Sequence, residues 1–147
     1  MRTKSSGFTL LEILIVLVVI QLIWFISLYT YNNQTNKYKF ESWYQQFELD
    51  LLYLQIHTMT TSNRYVLQFN PDKNYYAIRS SPVIPAIEHR DIPSDWNVSM
   101  LTLGNPISFT DTGQIRRPGT MKIEFDNETY YIYFPFGKGR CYYAKVE

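Results

Sequence analysis

The sequence predicts an α+β protein, one long N-terminal helix followed by a body of antiparallel strands. Three observations carry that expectation. An apolar run from Phe8 to about Leu28 contains neither glycine nor proline. Beyond it, apolar residues recur at spacings of three and four through Ile56, the mark of an amphipathic helix. After Asn63 the period changes to two, the mark of half-buried strands.

The first element is a short leader, residues 1–7, basic at Arg2 and Lys4 and closed by Gly7. The apolar helix, residues 8–31, follows at once, and within it only Glu12 and, more mildly, Gln21 are hostile to lipid. Its length is roughly 36 Å at 1.5 Å per residue, enough to cross a bilayer with some tilt. Basic residues before the run orient the N-terminus to the cytoplasm and the remainder outside. A carboxylate in such a segment costs on the order of 2.5–3.5 kcal/mol, less near a helix end, and so asks for a functional explanation. Two bland readings fit less well. A secretory signal has an apolar core of roughly 7–15 residues and a small-residue exit, whereas this run leaves through Ser27-Leu28-Tyr29-Thr30-Tyr31-Asn32. A plain anchor, with Glu12 beside the positive end of the helix dipole, does not explain a glycine set directly before Phe8.

Gly7-Phe8-Thr9-Leu10-Leu11-Glu12 resembles the leader junction of type IV pilins and pseudopilins. The resemblance implies the type IV pilin fold, cleavage by a prepilin peptidase between Gly7 and Phe8, N-methylation of Phe8, and assembly with other pilins through the apolar helix. It also implies a single-pass membrane protein whose head reaches the cell surface after assembly. Elementary electrostatics agrees with this. A cut before Phe8 creates an ammonium at the helix head, one turn from Glu12. In a staggered bundle the carboxylate of one subunit can meet the ammonium of its neighbour, relieving two costly buried charges and fixing the register.

The head, residues 32–147, begins with the amphipathic half of the helix. Phe40, Trp43, Phe47, Leu51 and Leu54 form its inner stripe, and Tyr44, Leu49, Leu52, Tyr53 and Ile56 are expected to widen it. The helix is expected to run to about Ser62, with Asn32-Asn33 as the place for a bend. Arg64–Phe69 and Tyr75–Arg79 read as a hairpin about the turn Asn70-Pro71-Asp72-Lys73-Asn74. Ser80 to Ser94, punctuated by Pro82, Pro85 and Pro93, reads as irregular. Short strands are expected at Val98–Leu103 and Ile107–Phe109, then a hairpin of Met121–Phe125 and Tyr130–Phe134 about Asp126-Asn127-Glu128. A last strand follows from Arg140 to Val146.

The later pattern, Phe109, Gly113, Gly119-Thr120 and Gly137-Lys138-Gly139, resembles the C-terminal half of minor pseudopilins. Both the H-type of type II secretion and the D-type of Gram-positive competence systems share it. The compact size and the want of a disulfide favour the competence type, which implies a role in uptake of DNA during transformation. Many Gram-negative pilins close a C-terminal loop with a cysteine pair, and this chain departs from them with a single cysteine, Cys141, expected on a half-buried strand. Major pilins often carry Gly or Pro inside the apolar half, where this chain has Gln21 and Tyr29, which points to a minor subunit.

Composition narrows the chemistry. Net charge is +1, and the chain without Arg2 and Lys4 has twelve basic against thirteen acidic side chains, so bulk charge does not describe a nucleic-acid binder. No enzyme motif emerges. His57 and His89 have no partner at metal-ligand spacing, Cys141 has no base in a recognisable motif, and no cofactor is expected. Arg116, Arg117, Lys122, Lys138 and Arg140, interleaved with Tyr130, Tyr131, Tyr133, Tyr142 and Tyr143, offer a weak groove for DNA. The competing reading is of solvent-facing charges that protect sheet edges.

Overall fold

The computed structural model describes residues 9–61, 65–80 and 85–146, with side chains for all of these except 27–34. Gly7 and Phe8, and with them the expected cleavage and methylation site, lie outside the described residues, as do Ser62, Arg64 and Pro82.

A single helix, α1, spans Leu10–Thr60, close to the expected bounds, and the first proline of the chain comes only at Pro71. The chain divides into two compact units, Met1–Ser42 and Trp43–Glu147. In the first, every large apolar side chain from Leu10 to Ile26 is exposed, from 47% at Val18 to 83% at Leu10. Among the described residues no helix is apolar over a stretch long enough to cross a membrane. The described apolar side chains end at Ile26, about 25 Å from Leu10, against a hydrocarbon core of roughly 30 Å.

The second unit packs the C-terminal part of α1 against two antiparallel sheets, where one small sheet was expected. β1 (Val66–Asn70), β2 (Tyr75–Arg79) and β3 (Glu88–Asp91) form one sheet in that order. β4 (Asn97–Ser99), β5 (Gly119–Phe125), β6 (Glu128–Phe134) and β7 (Tyr142–Val146) form the other. A one-turn 3-10 helix at Pro71–Lys73 makes the first hairpin turn, ending in Asn74 at φ 50°. The second hairpin turns on Asp126 and Asn127 alone, both at positive φ. That is the turn whose twist suits two antiparallel strands, and it leaves Glu128, expected in the turn, as the first residue of β6.

Three expectations need correction. Glu88-His89-Arg90-Asp91 is a strand, paired to β2 from Tyr75↔Asp91 to Ile78↔Glu88. Polar and charged at every position, it gives no period-2 signal, because it is an edge that only half buries its residues. The Val98–Leu103 strand shrinks to Asn97–Ser99, and Ile107–Phe109 contributes only isolated bridges, Leu67↔Ile107 and Phe109↔Ile115. The third correction concerns the helix face. Phe47, Leu51 and Leu54 are buried, as is Tyr44, and Trp43 is half-buried with its ring stacked on Phe47 at 5.2 Å. Leu49, Leu52, Tyr53 and Ile56, expected to widen that stripe, point the other way and are 59%, 46%, 37% and 50% exposed.

The core is aromatic. Phe47 meets Phe69, Tyr76 and Phe134 edge-on at 5.7, 5.6 and 6.3 Å, an arrangement that suits ring quadrupoles. Met121, Ile123 and Ile132 are fully buried from the four-stranded sheet. One polar tie fixes α1 to the first sheet. Asp50, 5% exposed, accepts from the Tyr76 hydroxyl at 2.8 Å, Arg90 Nε at 3.1 Å and Gln46 Nε2 at 3.0 Å. A second tie needs glycine. Gln55 Nε2 donates to the Gly113 carbonyl at 2.6 Å, and a Cβ on Gly139 would collide with that amide and that carbonyl.

Candidate assembly and interaction surfaces

The N-terminal candidate is built by a cap. Thr9 precedes the first helical residue, and its Oγ1 accepts from the Glu12 backbone N–H at 3.3 Å, while its carbonyl accepts from the N–H of Glu12 and Ile13 at 3.1 and 3.2 Å. Thr9 is thus the N-cap and Glu12 the third helical residue, the T-x-x-E spacing of a capping box. Sequence reading missed this role for Thr9, although the spacing could have disclosed it. The cap holds Glu12 in the first turn, among helical N–H groups that have no intrahelical acceptor. Beyond Glu12 the surface offered is wholly apolar to Gln21, and again to Ile26.

The basic candidates separate into two groups. Lys122 lies within β5, opposite Tyr131, and pairs with Glu124 at 2.8 Å, a bond that raises its pKa. It reads as a solvent-facing ion pair on a sheet. Arg116 and Arg117 lie instead in the loop before β5, and Lys138 and Arg140 in the loop between β6 and β7. Arg116 Nε donates to the Phe109 carbonyl at 2.9 Å, and Arg117 Nη2 reaches the Pro106 carbonyl at 3.4 Å. The Ile115 N–H donates to the Lys138 carbonyl at 3.4 Å, which joins the two loops. Phe136, between them in sequence, is 88% exposed, and nothing in the local pattern distinguished it from a buried turn residue. On the adjoining sheet face Tyr133 stacks on Tyr131 at 6.2 Å and on Tyr142 at 5.2 Å. Glu48 and Arg140 line one groove.

Cys141 is buried, and the Tyr44 hydroxyl lies 3.4 Å from its Sγ. Burial pushes the thiol up to about 11 and the Tyr44 phenol above its ordinary range, so both are neutral packing groups at physiological pH. His57 lies half-buried between Tyr53 and Tyr65, with ring centroids at 4.3 and 5.5 Å. His89 sits on β3 rather than in a loop, stacked on Tyr75 at 4.4 Å and 3.1 Å from an Asp91 oxygen. Among the described residues no group of three His, Cys, Asp or Glu is placed to hold a metal ion.

Residues 2–20 match the family model of the prokaryotic N-terminal methylation motif. No curated protein sequence matches the chain. Among solved structures, the fold is similar to that of the minor pseudopilin EpsH from the type 2 secretion system of Vibrio cholerae. The TM-score is 0.51 at 12% identity, over 68% of this chain and 91% of that one. A prokaryotic N-terminal methylation motif therefore heads an α+β fold similar to that of a pseudopilin.

Proposed function

We propose that the chain is a minor pilin or pseudopilin, a structural subunit rather than an enzyme. It is made as a precursor, cut between Gly7 and Phe8, methylated on Phe8, and held by its apolar helix in the membrane until it joins other pilins. The observation that carries this reading is the methylation motif over residues 2–20, continued by a capped helix whose apolar side chains face outward all round. Such a helix needs an apolar environment, which is lipid before assembly and neighbouring helices after it.

Within that role Glu12 is the register device. Capped in the first turn, it stands where the Phe8 ammonium of a staggered neighbour can reach it. A helix slipped by one turn leaves both charges unpaired in an apolar bundle. Glu12→Ala and Glu12→Gln should leave insertion and cleavage intact, since insertion loses a polar burden. Co-purification with sheared filaments or partner subunits should fall by about tenfold or more, a loss of ~1.4 kcal/mol in assembly. Glu12→Asp should be intermediate. Normal incorporation of Glu12→Ala would assign the carboxylate to the helix head alone.

The system served has two readings. Uptake of DNA by a competence pilus is supported by the single cysteine and compact head. Type II secretion is supported by the fold likeness to EpsH. Deleting the gene distinguishes them, since the first predicts lost transformation with normal secretion and the second the reverse. A direct role in gripping DNA is supported by the cations Arg116, Arg117, Lys138 and Arg140 on two loops joined by the bond from Ile115 N–H to the Lys138 carbonyl, and by the exposed ring of Phe136 on one of them. Replacing these four cations should then abolish salt-sensitive binding of single-stranded DNA, whereas Lys122→Ala should not.

A further inference from the structure

The four-stranded sheet has two unlike faces. Met121, Ile123 and Phe125 of β5, with Tyr130, Ile132 and Phe134 of β6, turn toward the core and are buried. The alternate positions turn outward. There β6 presents Tyr131 and Tyr133, and β7 sets Tyr142 directly opposite Tyr133. The three rings are near-parallel, with Tyr131 and Tyr133 inclined at 24° and Tyr133 and Tyr142 at 25°. Tyr142 is 56% exposed, and the other two are half-buried. Ala144, opposite Tyr131, is too small to cover that ring from β7.

Rings paired across strands can serve the sheet alone, but two observations go further. The hydroxyls of the inward tyrosine Tyr130 and of Tyr44 and Tyr76 each meet a side chain. Among the described residues nothing hydrogen-bonds the hydroxyls of Tyr131, Tyr133 or Tyr142. The other half of the same face is a polar row. Asn97 and Ser99 of β4 stand opposite Glu124 and Lys122 of β5. Glu124 accepts from Lys122 Nζ at 2.8 Å and from Asn97 Nδ2 at 3.4 Å. Among the described residues, Lys122 and Glu124 are the charged groups at the outward positions of β4 to β7, and they cancel. The face is half aromatic, half hydrogen-bonding, and neutral.

We infer that this face binds a neutral glycan, a chain of pyranose sugars laid on the tyrosine rings with its hydroxyls toward the polar row. A pyranose carries C–H groups on its faces and hydroxyls around its rim. The C–H groups, slightly positive, suit the negative faces of aromatic rings. Each rim hydroxyl both donates and accepts, which matches phenol hydroxyls, the Asn97 amide and the Glu124 carboxylate. A single nucleic-acid strand also stacks on rings, but it needs cations along its backbone, and Lys122 is already paired. A protein partner would centre an apolar patch here and bury three phenol hydroxyls, at a cost unless it bonded each one. The inference stands on the head alone and does not depend on the proposed role as a filament subunit.

The test is saturation-transfer NMR with cellotetraose and tetra-N-acetylchitotetraose on the full-length chain, held in a detergent without a sugar headgroup. At least one of the two should receive saturation, strongest at its ring C–H protons, and the effect should not change with salt. Tyr133→Ala and the more exposed Tyr142→Ala should each weaken binding by about tenfold. Tyr133→Phe, which keeps the ring, should retain most of it, and Tyr38→Ala, an exposed ring on α1, should change nothing. Amide exchange in β5 and β6 should match the parent in every variant, so that a loss reports the face and not the fold. No saturation of either sugar, or saturation that persists in both Tyr133→Ala and Tyr142→Ala, overturns the inference. Salt-sensitive binding of oligothymidylate that Tyr133→Ala removes, with neither sugar bound, overturns it in favour of a nucleic-acid strand.

Discussion

The two ends of α1 are equally helical and both rich in apolar residues, yet they solve different problems. From Leu10 to Ile26 the large side chains are exposed at every angle around the axis. From Trp43 to Thr60 they sort into two opposed stripes. One, with Phe47, Leu51 and Leu54, is buried in the head, and the other, with Leu49, Leu52 and Ile56, faces outward. A helix apolar all round is made for a uniformly apolar setting, and a two-striped helix for two different neighbours. In the proposed role, the contrast would let one element both anchor the subunit and present its head.

The comparison breaks most readily at adjacent positions. Leu51 is 5% exposed and Leu52 is 46% exposed. Leu51→Ala should cost about 2–5 kcal/mol by urea denaturation, and Leu52→Ala should stay within about 0.5 kcal/mol. Equal losses would mean that the stripes are not opposed. Asp50→Ala comes next. It strips the Tyr76 hydroxyl and Arg90 of their shared acceptor, and should cost about 2–4 kcal/mol. Asp50→Asn should recover part of the loss.

Much of this was legible in the sequence. The helix bounds, both hairpins and the inner positions Phe47, Leu51 and Leu54 follow from period and from turn residues. The side taken by Leu49, Leu52, Tyr53 and Ile56 does not. Apolar residues around most of a helix blur its polar side, and only the packing against the two sheets selects which stripe is inward. Asp50 was invisible for a related reason, since its partner Arg90 lies forty residues away on a strand whose charges concealed it. The motif at Gly7–Glu12 was plain, and the T-x-x-E spacing within it could have disclosed the Thr9 cap as well. Arg116, Arg117, Lys138 and Arg140 were singled out in the sequence by residue type alone. That Lys122 pairs with Glu124 within β5, while the loops carrying the other four are joined by a backbone bond, depends on the fold.

Smaller effects sharpen the picture. Burial pushes the Cys141 thiol up to about 11 from an ordinary value near 9.0, and burial likewise raises Tyr44 and Tyr76. The folded chain then holds these protons more tightly than the unfolded one. Their contribution is complete below about pH 9 and is lost as pH rises toward and through the folded values. The melting temperature, followed from pH 8 to 11, should therefore fall above about pH 9, and less steeply in Tyr76→Phe. A flat profile would place these groups in contact with water. Smallest is Thr9→Ala, which removes the cap from the first turn and should cost about 1 kcal/mol of local helix stability. Faster amide exchange at Glu12, with the head unchanged, is the expected sign.

The most direct measurement is the N-terminus of the mature protein. The subunit recovered from membranes of cells with an active prepilin peptidase should begin at Phe8, with the added mass of one methyl group on that residue. A protein that still begins at Met1, or begins beyond Tyr31 with the apolar helix removed, would contradict the account.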